Sequence, residues 1–125
     1  PDELAIITGA LVEAGVDIFD VSTRVFSVPA FAGSDMGLAG WVRKLSGKPV
    51  MTVGGIGFDK ELAASFAEPT SALDNLDEVA RRFAAGEFDL VALARALLMD
   101  PEWVLKAQAG KPFKPFDLSA YGRLD

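Results

Sequence analysis

Three times along this chain a helical pattern runs into a glycine and then into a short apolar run, and this alternation constrains the fold most. Leu4, Ile7, Thr8, Leu11 and Val12 recur at helical spacing, Gly15 follows, and residues 16–22 (VDIFDVS) have strand length and character. Leu38, Trp41, Val42 and Leu45 share a face that stops at Gly47, ahead of a strand at 49–53. Leu76, Val79, Ala80 and Phe83 form a third stripe, closed by Gly86 and followed by the strand 88–94 (FDLVALA). Strands separated by helices pair in parallel, and the expectation is a sheet covered on both faces. Short, right-handed crossovers leave a doubly wound sheet or part of a (β/α)₈ barrel. A whole barrel needs roughly 250 residues, and this chain has 125. Three strands alone would leave both sheet edges open, so cover by another segment or another copy is expected.

Helix boundaries are marked by familiar signals. Pro1 fits a first helical turn, and Ser34 or Asp35 can cap the second helix. Asp59 can cap a short helix through Leu62, Ala63 and Phe66 that Pro69 ends. Asn75 with Glu78 three residues on has capping-box spacing. Asp100-Pro101 reads as an N-cap followed by proline in the first turn of a helix at 101–109, which Gly110 closes. The tail, 111–125, spaces Pro112 and Pro115 with aromatics and is expected to lie extended on a surface. The whole, 1–125, reads as a single partial barrel domain.

Composition removes several chemistries. With no cysteine and no histidine, disulfides, thiolate metal sites and a Ser-His-Asp triad cannot be built. No metal site is expected. A formal net charge of −6 argues against nucleic-acid binding, which needs a basic face. No apolar run approaches the roughly 20 residues that span a bilayer, and no signal-peptide pattern is present. A soluble, cytoplasmic protein with no membrane partner is the expectation, and a first residue of Pro suggests a piece of something longer.

Chemistry concentrates at strand ends. Residues 49–57 read PVMTVGGIG, an apolar strand opening into Gly54-Gly55. Without a Cβ, backbone N–H groups there can approach a phosphate closely, or the pair can simply make a tight turn. Arg95 ends the next strand, where parallel order would bring it beside Gly54 and Gly55. It can hold phosphate through charge and paired hydrogen bonds, or neutralise Asp89 or Asp100. Asp17 and Asp20 share a strand at a spacing that points them to opposite faces, so they are not an acid–base pair. Tyr121 can donate a proton but has no placed partner.

The segments AGVDIFDVS, KPVMTVGGIG and GEFDLVALARALLMDPEWVLKAQAGKPF carry a resemblance. The chain resembles the C-terminal part of the Old Yellow Enzyme family, the FMN-dependent NADH:flavin oxidoreductases and ene-reductases. The match covers strands six to eight of a TIM barrel and the helix that follows, with residues 58–74 reading as an insertion. The resemblance implies that Gly54 and Gly55 bind the FMN phosphate, completed by Ala94 and Arg95. The family usually has glycine where Ala94 stands. It further implies hydride transfer from NADH or NADPH through FMN to an electron-poor alkene or enone. The loop at 23–33 corresponds to one that reaches over the flavin, where Phe26 and Phe31 can line the substrate pocket or pack the loop down.

Family groups that hold the substrate carbonyl and supply a proton lie on earlier strands, so no catalytic residue is assigned here. The chain alone is expected to be inactive, with the missing N-terminal barrel half or a homo-oligomer as its partner. The alternative is a non-catalytic half-barrel that binds a phosphorylated ligand and oligomerises to cover its sheet edges.

Overall fold

A computed structural model describes residues 1–60, 64, 67, 71, 74–117 and 119. In chain order the elements are α1 (Asp2–Glu13), β1 (Phe19–Ser22), α2 (Leu38–Ser46), β2 (Val50–Val53), α3 (Leu76–Ala84), β3 (Leu90–Val91), α4 (Arg95–Met99) and α5 (Trp103–Ala109). The strands form one parallel sheet in the order β1-β2-β3. Phe19 lies opposite Val50, Ser22 opposite Val53, and Met51 opposite Leu90. The expected α/β class and parallel pairing are therefore present.

The strands are shorter than their apolar runs. A strand is defined by its neighbour, and β1 and β3 each have β2 alone. β3 nonetheless makes ladder bonds beyond its two residues, from Asp89 N–H to Val50 O at 2.8 Å and from Ala92 N–H to Thr52 O at 2.9 Å.

Coverage on both faces is not what forms. Phe19 and Val21 are buried while Asp20 and Ser22 are exposed, and Val50 and Thr52 are buried while Met51 and Val53 are half-buried. Consecutive parallel strands joined by crossovers of one hand put the connecting helices on one side. α2 packs on β1 and β2, α1 packs on α2, and Leu76 and Val79 of α3 join the same core. A doubly wound sheet would cover the second face as well. Here no element among the described residues packs on that face, and Asp20, Ser22, Leu90 and Val91 are exposed.

The helical stripes are corrected in the same way. In α1 the buried residue is Thr8, whose hydroxyl donates to Leu4 O at 2.8 Å, whereas Ile7 and Leu11 are exposed. In α3 it is Arg82, 4% exposed, while Phe83 is 55% exposed. Apolar side chains also stay exposed on β3, α4 and α5, among them Leu90, Leu98 and Leu105. Among the described residues no helix is long and apolar enough to cross a membrane.

Several cap assignments also change. α2 begins after Gly37, and Ser34 Oγ instead accepts from Met36 N–H at 3.2 Å. α5 starts at Trp103, two residues beyond Pro101. Asp59 Oδ1 accepts from Ser71 N–H at 2.8 Å, while the helix expected through Leu62, Ala63 and Phe66 lies outside the described residues.

Asp100 ties the chain end to the core. It is 1% exposed, and its Oδ2 accepts from Lys106 Nζ at 2.6 Å and from Lys114 N–H at 3.2 Å. Phe113 stacks on Trp103 with centroids 4.7 Å apart. Burial pushes the Asp100 carboxyl up, but the hydrogen bonds from Lys106, Lys114 and Glu102 outweigh it and hold the carboxyl below its usual range. A carboxyl lowered in the folded state stabilises above its unfolded pKa, near 4, and that contribution is lost as pH falls through the folded value. Urea midpoints followed downward from about pH 5 should therefore fall more steeply for the native sequence than for Asp100→Asn. Parallel curves would remove this role from Asp100.

Candidate functional site

In a parallel sheet all strands end on one side, and the loops leaving those ends share a crevice. Residues 22–24 after β1, 53–56 and Phe58 after β2, and 92–95 after β3 line one cleft of about 390 Å³. Gly54, Gly55, Ala94 and Arg95 are all on its wall.

The β2 loop has a backbone that at Gly54 only glycine accepts. Gly54 has φ 135° and Gly55 φ 69°, and a Cβ on Gly54 would stand 2.1 Å from Thr23 O. That approach is fixed from both sides. Thr23 N–H and Oγ1 both donate to Val53 O, at 3.0 and 3.1 Å, and Phe26 N–H donates to Gly54 O at 2.9 Å. Among the described residues, no protein group accepts from the N–H groups of Gly54, Gly55 and Ile56. Three successive amides on a cleft wall are a ready receptor for an anion.

Asn75 does not cap its own helix. Its Nδ2 donates to Gly55 O at 3.0 Å and its Oδ1 accepts from Gly57 N–H at 2.9 Å. The expected capping box is absent because Glu78 is also committed elsewhere. Its carboxylate pairs with Arg81 Nε and Arg82 Nε, each at 2.7 Å. Hydrogen bonding from Arg81, then from Arg82, lowers that carboxyl to about 2.

Arg95 begins α4 at the edge of the cleft. Its guanidinium lies over the Phe58 ring, 4.6 Å from the centroid, and Nη2 donates to Lys60 O at 2.9 Å. The two acids offered by the sequence as its neutralising partners are engaged with other cations. Asp89 Oδ2 lies 3.0 Å from Arg43 Nε, and Asp100 holds Lys106. Ala94 has φ −114°, so an alanine stands there without left-handed strain.

The loop after β1 is held by Arg82, a residue left out of the helical stripe read from the sequence. Arg82 donates from Nη1 to Glu87 Oε2 at 2.9 Å and to Asp35 O at 3.1 Å, and from Nη2 to Ser27 O at 2.8 Å. Glu87 Oε2 in turn accepts from Gly37 N–H at 3.1 Å. A signal existed, since position 82 follows Val79 at helical spacing and so falls on the buried stripe.

The aromatics of that loop sit away from the cleft. Phe26 is in the core, and Phe31 meets Trp41 edge-on with centroids 5.2 Å apart. Asp17 precedes β1 rather than belonging to it, and Asp17 and Asp20 are both exposed. Tyr121 lies outside the described residues.

No protein-family model matches the chain. An NADH oxidase from Thermoanaerobacter brockii is 32% identical in an alignment 113 residues long that covers 84% of this chain. The chain spans about 15% of that relative's length. Across most of its own length the chain is thus similar to a small part of an NADH oxidase, a relationship to oxidoreductases.

Proposed function

We propose that this chain is a TIM-barrel segment of the Old Yellow Enzyme kind, and that its cleft holds the phosphate of FMN in an NAD(P)H-dependent oxidoreductase. The observation that carries this is the cleft itself, whose wall at the carboxyl ends of parallel strands includes Arg95 and three amides with no acceptor among the described residues. The sequence motifs and the similarity to an NADH oxidase point the same way. One-sided coverage of the sheet fits a barrel wall, with Asp20, Ser22, Met51 and Val53 on the face that would look inward. A cytoplasmic setting, where nicotinamide cofactors circulate, goes with this reading.

The residues fit the phosphate group. Gly54, Gly55 and Ile56 offer N–H donors where any side chain on Gly54 would collide with Thr23 O. Arg95 supplies a fixed positive charge to an otherwise acidic chain. Bound FMN would supply hydride transfer from NADH or NADPH to an electron-poor alkene or enone. This chain's own part is to bind and orient the cofactor's phosphate end.

The test is a titration with FMN, followed by flavin fluorescence, in the protein that carries this chain. A hydrogen bond to a charged group is worth about 1.5–3 kcal/mol. Arg95→Ala should therefore weaken FMN binding by roughly 10- to 100-fold. Equal affinities for the two proteins, or no binding by either, would remove the phosphate reading.

A further inference from the structure

We infer that Asn75 is a positioning residue for the phosphate loop, and that it makes this cleft discriminate phosphorylated from unphosphorylated flavin. The inference rests on the phosphate reading above and adds a residue that neither the motifs nor the similarity assigns. Its basis is a two-point clamp from another element: Nδ2 to Gly55 O at 3.0 Å and Gly57 N–H to Oδ1 at 2.9 Å.

A loop with left-handed glycines at 54, 55 and 57 has a large choice of backbone conformations, because glycine loses more freedom on ordering than any other residue. An anion receptor made of such amides is useful only when they are held in place before the ligand arrives. Phe26 N–H fixes one side of the loop through Gly54 O, and Asn75 fixes the other. The carboxamide suits the task because Gly55 offers an acceptor and Gly57 a donor, and Asn presents one of each in a single plane. The reverse amide orientation would set N–H against N–H. Aspartate would set a carboxylate against the Gly55 carbonyl.

The clamp also sorts the loop amides. Gly57 N–H is occupied by Asn75, while Gly54, Gly55 and Ile56 keep theirs available. Asn75 is itself the N-cap position of α3, and Arg82 anchors that helix to the β1 loop. The phosphate loop is therefore referenced to the helical layer rather than to the strand end alone. Asn75 does not line the cleft, so its effect passes through the loop backbone.

The experiment compares FMN with riboflavin, which lacks the phosphate, in the protein carrying this chain. The native protein should bind FMN more tightly than riboflavin. Asn75→Ala and Asn75→Asp should each lower FMN affinity at least tenfold, with riboflavin affinity changed less than twofold. Equal loss for both flavins, or an unchanged preference for FMN, would overturn the positioning role. Failure of the underlying reading looks different: the native protein would show no preference for FMN, and Arg95→Ala would change nothing. Amide hydrogen exchange on the native protein covers the case of variants that do not fold. Without flavin, Gly57 should exchange slowly and Gly54, Gly55 and Ile56 quickly, with FMN slowing those three. Gly57 exchanging as fast as its neighbours would overturn the clamp.

Discussion

Gly54→Ala should destabilise the chain by several kcal/mol and remove the FMN binding proposed above, whereas Gly55→Ala should be far milder. At Gly54 the backbone has φ 135°, and the added Cβ would stand 2.1 Å from Thr23 O and 2.8 Å from Thr23 C. Backbone strain of that kind costs on the order of 1–3 kcal/mol before any collision is counted. The collision cannot be relieved by moving a side-chain tip, because the obstructing atoms are main chain. Thr23 is moreover tied to Val53 O through both its N–H and its hydroxyl. Relief would have to separate the β1 loop from the β2 loop, which opens the cleft wall. At Gly55 the nearest atom to a new Cβ is Arg24 O at 3.5 Å, an ordinary contact. There the cost is left-handed backbone alone, about 1–2 kcal/mol. Urea unfolding of the two variants, with FMN titrations beside it, checks the ranking. Similar behaviour of the two alanines would show that the Thr23 approach does not govern the loop.

The second large effect is expected at Arg82. Arg82→Met leaves the Glu87 carboxylate, whose side chain is 9% exposed, without its cation. It also removes the donors to Ser27 O and Asp35 O. Removing one partner of a buried pair costs about 3–5 kcal/mol, a large share of the roughly 5–15 kcal/mol that holds a domain together. The neighbouring Arg81→Met should cost within about 0.5 kcal/mol, since its side chain is 53% exposed. Pairing Arg82→Met with Glu87→Leu should recover much of the loss, because the double variant leaves no lone buried charge. Denaturation midpoints of the four proteins decide the matter. A double variant no better than Arg82→Met would shift the cost to the loop carbonyls, and an Arg82→Met no worse than Arg81→Met would contradict the burial argument.

Both cases show where local pattern stops being informative. The alternation of helical stripes, glycines and apolar runs was enough to read an α/β chain with parallel strands. The same pattern placed Gly54-Gly55 and Arg95 at neighbouring strand ends, and they do line one cleft. Asn75 and Glu78 had the right spacing for a capping box, yet each bonds elsewhere. Asp89 and Asp100 were plausible partners for Arg95, yet Arg43 and Lys106 hold them. A short-range motif records what a side chain can reach, whereas its partner depends on which groups the fold brings nearer.

By itself, then, the sequence determined the α/β class, the strand direction, the glycine loop and the cation beside it, because periodicity and left-handed glycines act over a few residues. The tertiary structure decided that the helices among the described residues gather on one face of the sheet, that Arg82 rather than Phe83 is buried, and that Asn75 serves the loop rather than its helix. The physical reason is separation along the chain. Asn75 meets Gly55 across 20 positions and Arg82 meets Ser27 across 55. No helical or strand period carries information over such distances, and only packing brings those groups together.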